Sequence, residues 1–204
     1  MSINAIEKEA ENTQSHTKIE PLNPRLEEIS SPERIFNISN KKPTESRAQN
    51  YLSIKGISLE ESQGVRFGKY YENPAILVPI KGLNGEIKSI QYIFEESEGK
   101  FEKRFHKNAD KAGGFFALDQ INGDETIFVV EGFATGVSLK RILSQSEKVE
   151  NTKVVCAFTA QDIPNVAQIL KGRFAYSEII AAPDADEAGN KAAKECKSLG
   201  VHSI

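Results

Sequence analysis

The sequence holds little sulfur and little imidazole: two cysteines and three histidines in 204 residues. His16, His106 and His202 stand far apart, and without paired cysteines there is no ligand set for a structural zinc ion. Cys156 lies in the apolar run VVCAF and Cys196 in a helix-like segment. Both read as packed, reduced thiols rather than a disulfide, which fits a cytoplasmic setting. No apolar run is long enough to span a bilayer, and the opening MSINAIEKEAENTQ lacks the apolar centre of a signal peptide, so no membrane partner is expected. An excess of one charge is missing too. The 26 Lys and Arg against 29 Asp and Glu leave a net charge of -3, which excludes a polybasic chain that coats nucleic acid through bulk charge. Any such contact must come from a local basic patch and a bound cation. The chain remains long enough, at 39% hydrophobic residues, for one sizeable domain or two small ones with a real core.

Residues 1–42 are rich in Glu, Asn, Ser, Lys and Pro and lack apolar periodicity, so they read as a disordered tether. The segment TESRAQNYLSIKGI then spaces Ala48, Tyr51 and Leu52 as a helix would, with Gly56 where the helix stops. ILVPIK and EIKSIQYIF flank Leu83-Asn84-Gly85, which reads as a hairpin closed by a two-residue Asn-Gly turn with both residues at positive φ. KFEKRFHK reads as a further strand carrying Lys103, Arg104, His106 and Lys107. Residues 43–122 are therefore expected to form a small basic α+β unit.

From 123 to the end the pattern alternates strand and helix: TIFVVE, ATGVSLKRIL, TKVVCAF, DIPNVAQILKGRF, SEIIAA, EAGNKAAKECKSLG and a fourth strand in VHSI. The strands are continuous apolar runs, as in a sheet covered on both faces. Leu139, Ile142 and Leu143 mark the inward face of the first helix. Asp162 is placed to cap the second, with Ile163, Val166, Ala167 and Leu170 inward. Ala192, Cys196 and Leu199 face inward from the third. The expected fold class is α/β, a Rossmann-like parallel sheet with helices on both faces, preceded by the small basic unit.

Ligands bind such sheets at the carboxyl ends of the strands. Glu131 ends the first strand there, and Asp184 and Asp186 in AAPDADEAG follow the third. Three carboxylates from distant parts of the chain would repel one another on one rim, so a divalent cation, Mg²⁺ or Mn²⁺, is expected among them. Taken singly, each feature also has a plainer reading. Asp-x-Asp before a helix is often an N-cap, Gly132 and Gly136 can serve tight turns and packing, and the basic cluster can be a solvated face. An aspartyl-phosphate phosphotransferase is rejected because its Asp-x-Asp follows the first strand, not the third.

The motifs together resemble a known family, the Toprim fold of DnaG-type primases, topoisomerases and some nucleases. Members place Glu-Gly after the first strand and Asp-x-Asp, commonly followed by Gly, after the third. Here these are Glu131-Gly132 and Asp184-Ala185-Asp186, with Gly189 beyond. EGFATG is similar to the Glu-Gly-Tyr-Ala-Thr motif of plasmid- and satellite-phage-type primases, and AQNYLSIKGI and KNADKAGGFFAL look like the flanks of their basic unit. The resemblance implies a primase that makes RNA primers on single-stranded DNA in replication of a plasmid, phage or other mobile element. Glu131 would be a catalytic base or metal-linked acid, and Asp184 and Asp186 would hold the metal carrying the ribonucleoside triphosphate. Arg104, Lys107 and Lys111 would guide nucleic acid or nucleotide, and Gly132, Gly136 and Gly189 would shape the turns. A replicative helicase is implied as a partner. Family members continue past the fourth strand, so the Toprim domain at 123–204 is expected to be truncated at its C-terminal end. The alternatives are a Toprim nuclease and a truncated module that binds nucleic acid or nucleotide without turnover. A topoisomerase would need a tyrosine on a large separate domain, for which there is no room.

Overall fold

The computed structural model of the chain describes residues 31–146 and 151–204. Most of the expected tether lies outside these residues, but its end is structured. Helix α1, Pro32–Ile38, starts at Ser31, whose hydroxyl accepts from the Arg34 N–H at 3.3 Å, and Pro32 supplies a preset φ in the first turn. Phe36 is buried, with the Arg66 guanidinium 5.0 Å over its ring, and Asn40 exchanges backbone hydrogen bonds with Phe67. The tether reading is thus corrected for 31–42. A seven-residue helix anchored by one phenylalanine is too short to show a periodic signal.

Helix α2, Arg47–Ile54, buries Ala48, Tyr51 and Leu52 as their spacing requires. Beside it lies an antiparallel sheet of β1 (Arg66–Tyr70), β2 (Asn73–Lys81), β3 (Ile87–Ser97) and β4 (Lys100–Phe105), in that order. β2 is apolar on both sides because both are covered. Ala75 and Leu77 pack with Phe36, Ile90, Tyr92 and Phe94, while Ile76, Val78 and Ile80 face the second sheet. The β2–β3 connection differs from the two-residue turn expected. Gly82 to Gly85 form a four-residue turn closed by Gly85 N–H to Gly82 O at 3.0 Å, and Gly82 N–H bonds Glu86 O. Only Gly85, at φ 83°, is left-handed, and the register shifts at Ile80/Lys81. The single glycine and the bulge do the work assigned to the Asn-Gly pair. β1 has no counterpart in the sequence reading, since Arg66, Gly68 and Lys69 hide the alternation around buried Phe67.

The second sheet runs β5-β7-β6-β8-β9, made of β5 (Phe116–Ala117), β6 (Thr126–Val130), β7 (Thr152–Cys156), β8 (Glu178–Ala182) and β9 (His202–Ser203). All are parallel except β5, which pairs antiparallel with β7. Period-two alternation splits its side chains between two cores. Phe128, Val130, Val154 and Cys156 join helix α3 (Phe133–Ser144) through Phe133, Val137 and Leu143. Ile127, Val129, Val155 and Ile179 join helices α4 (Ile163–Arg173) and α5 (Glu187–Ser198). Right-handed crossovers dictate this: β6 to β7 runs one way along the sheet and β7 to β8 the other, so their helices cover opposite faces. The expected parallel sheet with helices on both faces is therefore present.

The first core continues without a break into Ile76, Val78, Ile80 and Ile93 of the antiparallel sheet. Arg141 of α3 reinforces this junction by donating to both Glu61 carboxylate oxygens, at 2.8 and 2.9 Å, and to the Gly56 carbonyl. Two inward-face readings and one capping reading change. Ile142 is 63% exposed; Leu199 is the half-buried end cap of α5; and Asp162 does not cap α4 with its side chain. Thr159 caps instead, accepting from the Asp162 N–H, and a 3₁₀ turn at Ala160–Asp162 leads into the helix. Among the described residues no helix is long and apolar enough to cross a membrane.

Gly136 sets how closely α3 approaches the sheet. A Cβ there would lie 2.7 Å from Cys156 Sγ and 3.3 Å from Val130 Cγ2. Gly136→Ala is expected to cost about 1–3 kcal/mol by overpacking, and Cys156→Ala in the same chain should recover at least about half. Chemical denaturation of the two single variants and the double variant checks this.

Candidate functional site

β6 leads through α3 toward β7 on one side, and β8 leads through α5 toward β9 on the other. Neighbouring strands whose connections part in this way open a crevice at their carboxyl ends, here between β6 and β8. Val130 and Ala182 are the last paired residues, so Glu131 and Pro183-Asp184 leave the sheet side by side. Asp186 follows at the start of α5. The structure thus brings all three sequence-predicted carboxylates to one rim.

Their charges interact. Glu131 is half-buried, and its pKa is raised above the ordinary carboxylate value, first by burial and then by the charges of Asp184 and Asp186. The Lys103 ammonium opposes this shift. Asp184 is exposed, and its carbonyl accepts the Asp186 N–H at 2.9 Å. Asp186 Oδ1 accepts the Gly189 N–H at 2.8 Å, so the plain reading of Asp-x-Asp as an N-cap also holds. Among the described residues no three His, Cys, Asp or Glu lie close enough together to ligate one ion. The carboxylates share a rim and a field without forming a closed cage. Open, hard oxygen donors with uncompensated charge nevertheless fit Mg²⁺ or Mn²⁺, since Mg²⁺ normally takes one or two carboxylates and completes its shell with water and phosphate.

The three glycines separate on inspection. At Gly189 a Cβ would collide with the Asp184 carbonyl oxygen, so this glycine lets the Asp184 loop fold onto the first turn of α5. Gly136 serves close packing, as above. Gly132, at φ -114°, needs no special conformation, and a Cβ there would make ordinary contacts with Lys103 Nζ at 3.7 Å and Thr135 Oγ1 at 3.8 Å.

The basic candidates mostly lie elsewhere. Arg104 pairs with Glu102 at 2.8 Å on the solvent face of β4, within a row of alternating charge with Glu96 and Lys100. Lys107 lies 5.9 Å over the Tyr71 ring. Lys111 is held by Asp162, which also accepts the Thr159 hydroxyl, and it stands 5.0 Å over Phe105. The lysine that reaches the rim is Lys103, beside Gly132 and coupled to Glu131. Its signal was in the alternation: Phe101 and Phe105 pack against the core, so the lysine between them shares their face of the strand. A cavity of 630 Å³ lined by Gln63, Lys81, Phe115, Phe116, Asp119 and Phe174 lies at the β5 edge, and none of its lining residues belongs to the rim.

No protein-family model matches the chain, and no curated protein matches it in sequence. Solved structures do. The primase fragment of the bacteriophage T7 primase-helicase protein superposes with a TM-score of 0.56 at 22% identity, covering 74% of this chain and 63% of that one. The chain therefore spans somewhat under two thirds of that fragment. A bacteriophage T7 lagging-strand DNA polymerase structure, with primase domains bound to an RNA/DNA hybrid and dTTP, matches with a TM-score of 0.55 at 22% identity, covering 72% of each chain. At this identity the likeness establishes the fold, which is of the primase type.

Proposed function

We propose that the chain is a primase-type nucleotidyltransferase that makes short RNA primers on single-stranded DNA with a divalent cation. The observation that carries this reading is Glu131, held half-buried against the charges of Asp184 and Asp186 at the β6–β8 crevice, with Lys103 opposite. The primase-type fold supports it, and the resemblance of EGFATG assigns the activity to replication of a plasmid, phage or other mobile element, with a helicase as partner. In the reaction the 3′-hydroxyl of one ribonucleotide attacks the α-phosphorus of the next, forming a phosphodiester and releasing pyrophosphate. One or two of the rim carboxylates, Asp184 and Asp186 foremost, would hold Mg²⁺ or Mn²⁺, which would supply positive charge to the triphosphate. Glu131, on the same rim, would accept the proton of the attacking hydroxyl. Lys103, the lysine that reaches the rim, suits the phosphates. Lys111, and more remotely Arg104 and Lys107, would guide the template through sequence-independent contacts.

The test is incubation with Mg²⁺ or Mn²⁺, labelled ribonucleotides and single-stranded DNA, with Asp184→Ala as control, read on a sequencing gel. New short RNA, absent from the control, is the expected result. Shortened template without new RNA would replace this reading with a nuclease. No change in either strand would leave a binding module without turnover.

A further inference from the structure

β7 does not simply end beside Glu131. Three consecutive carbonyls at the β6 exit are held by the last residue of β7 and the two that follow it: Val130 O by Ala157 N–H at 2.8 Å, Glu131 O by Phe158 N–H at 2.7 Å, and Gly132 O by Cys156 Sγ at 3.6 Å. Successive carbonyls of a regular strand point to opposite sides, so a parallel ladder cannot bond two in a row from one neighbour. The chain leaves the regular ladder at this point, and Phe158 itself adopts φ 74°, a left-handed conformation that is a true outlier for a bulky residue. Its ring is 5% exposed and meets Phe105 edge-on, with centroids 6.4 Å apart. Phe105 is two residues beyond Lys103 on the same face of β4, and the Lys111 ammonium lies 5.0 Å over its ring. A backbone conformation suited to glycine is therefore kept in a core phenylalanine that touches both the Glu131 carbonyl and the strand that carries Lys103.

We infer that Phe158 is a positioning residue for the rim. Its N–H holds the Glu131 carbonyl and its ring packs edge-on against Phe105 of β4, so the Glu131 peptide and the strand that carries Lys103 are held in one fixed relation. The clamp itself stands on geometry alone; its effect on turnover rests on the function proposed above. A strained conformation at a functional rim is retained only where the surroundings over-determine it, and here Phe105 is the determinant.

The experiment is amide hydrogen exchange on the wild type and Phe105→Ala, followed by steady-state primer synthesis with both. The Phe158 amide should exchange at least about tenfold faster in the variant, while the Leu170 amide on the far side of the sheet keeps its rate, because the opening is local. The turnover number should fall about tenfold with the nucleotide KM held within about twofold, since only alignment is lost. A Phe158 amide that is unchanged, or that quickens only together with Leu170, overturns the clamp. Unchanged turnover with a loosened amide overturns the positioning role. A wild type that makes no primer rejects the proposed function instead, and the exchange result then decides the clamp by itself. If Phe105→Ala does not fold, Phe105→Leu, which keeps the apolar volume without the edge-on ring, takes its place.

Discussion

Glu131→Gln is expected to lower template-directed ribonucleotide incorporation by at least about a hundredfold while making the cation-free chain more resistant to heat. The two effects have opposite signs for one reason. The Glu131 carboxylate stands half-buried, facing Asp184 and Asp186, so folding brings it into an environment that disfavours its charge. Its folded pKa stands above its unfolded one. The folded chain therefore holds this proton more tightly, and the group's contribution to stability grows as pH falls through the raised pKa and is lost as pH rises past it. Glutamine removes the unfavourable charge and keeps the shape. Above its raised pKa the variant should melt higher than the wild type, and the gap should close as the pH is lowered toward the ordinary carboxylate value of 4.5. Thermal melts at several pH values, beside the primer assay, check both halves. Lower activity together with lower stability would mean that Glu131 is structural.

Gly189→Ala, in the first turn of α5, should be the most damaging Gly→Ala change among the described residues. The new Cβ would overlap the Asp184 carbonyl oxygen, which is backbone and cannot swing aside. Either the Asp184 loop lifts or the first turn of α5 unwinds, and unwinding also breaks the Asp186 Oδ1 cap to the Gly189 N–H. A loss of about 3–5 kcal/mol is expected, lowering Tm by about 10 °C. Gly132→Ala is the natural control. Its Cβ has room and its φ is ordinary, so its stability should stay within about 0.5 kcal/mol of the wild type. Differential scanning calorimetry of the pair measures the contrast. Similar losses at both positions would mean that the Asp184 loop is free to move.

The parallel sheet was legible because its signals are local. Buried strands between amphipathic helices leave continuous apolar runs, and strand-end carboxylates mark the rim once the crossover rule orders the strands. What escaped depended on partners distant in sequence. β1 reads as a charged segment until β2 covers Phe67. α1 needs the outer face of β3 to bury Phe36. Asp162 looks like a cap, yet Lys111 and the Thr159 hydroxyl claim its carboxylate. The basic residues differ in a more instructive way: the family resemblance singled out Arg104, Lys107 and Lys111, while strand periodicity also puts Lys103 on the face of β4 that approaches the rim. Nothing in the sequence announces the left-handed phenylalanine at 158, since backbone strain follows from two contacts and not from a residue type.

The claim on which the rest depends is that the rim formed by Glu131, Asp184 and Asp186 draws a divalent cation, through one or two of these carboxylates with water and phosphate completing its shell. Titration of the chain with Mn²⁺, following the free ion by electron paramagnetic resonance, addresses it without requiring turnover. Tight binding by the wild type, weakened at least about tenfold in both Glu131→Gln and Asp184→Ala, is the expected result. Binding that is absent from the wild type, or equal in all three proteins, would contradict it.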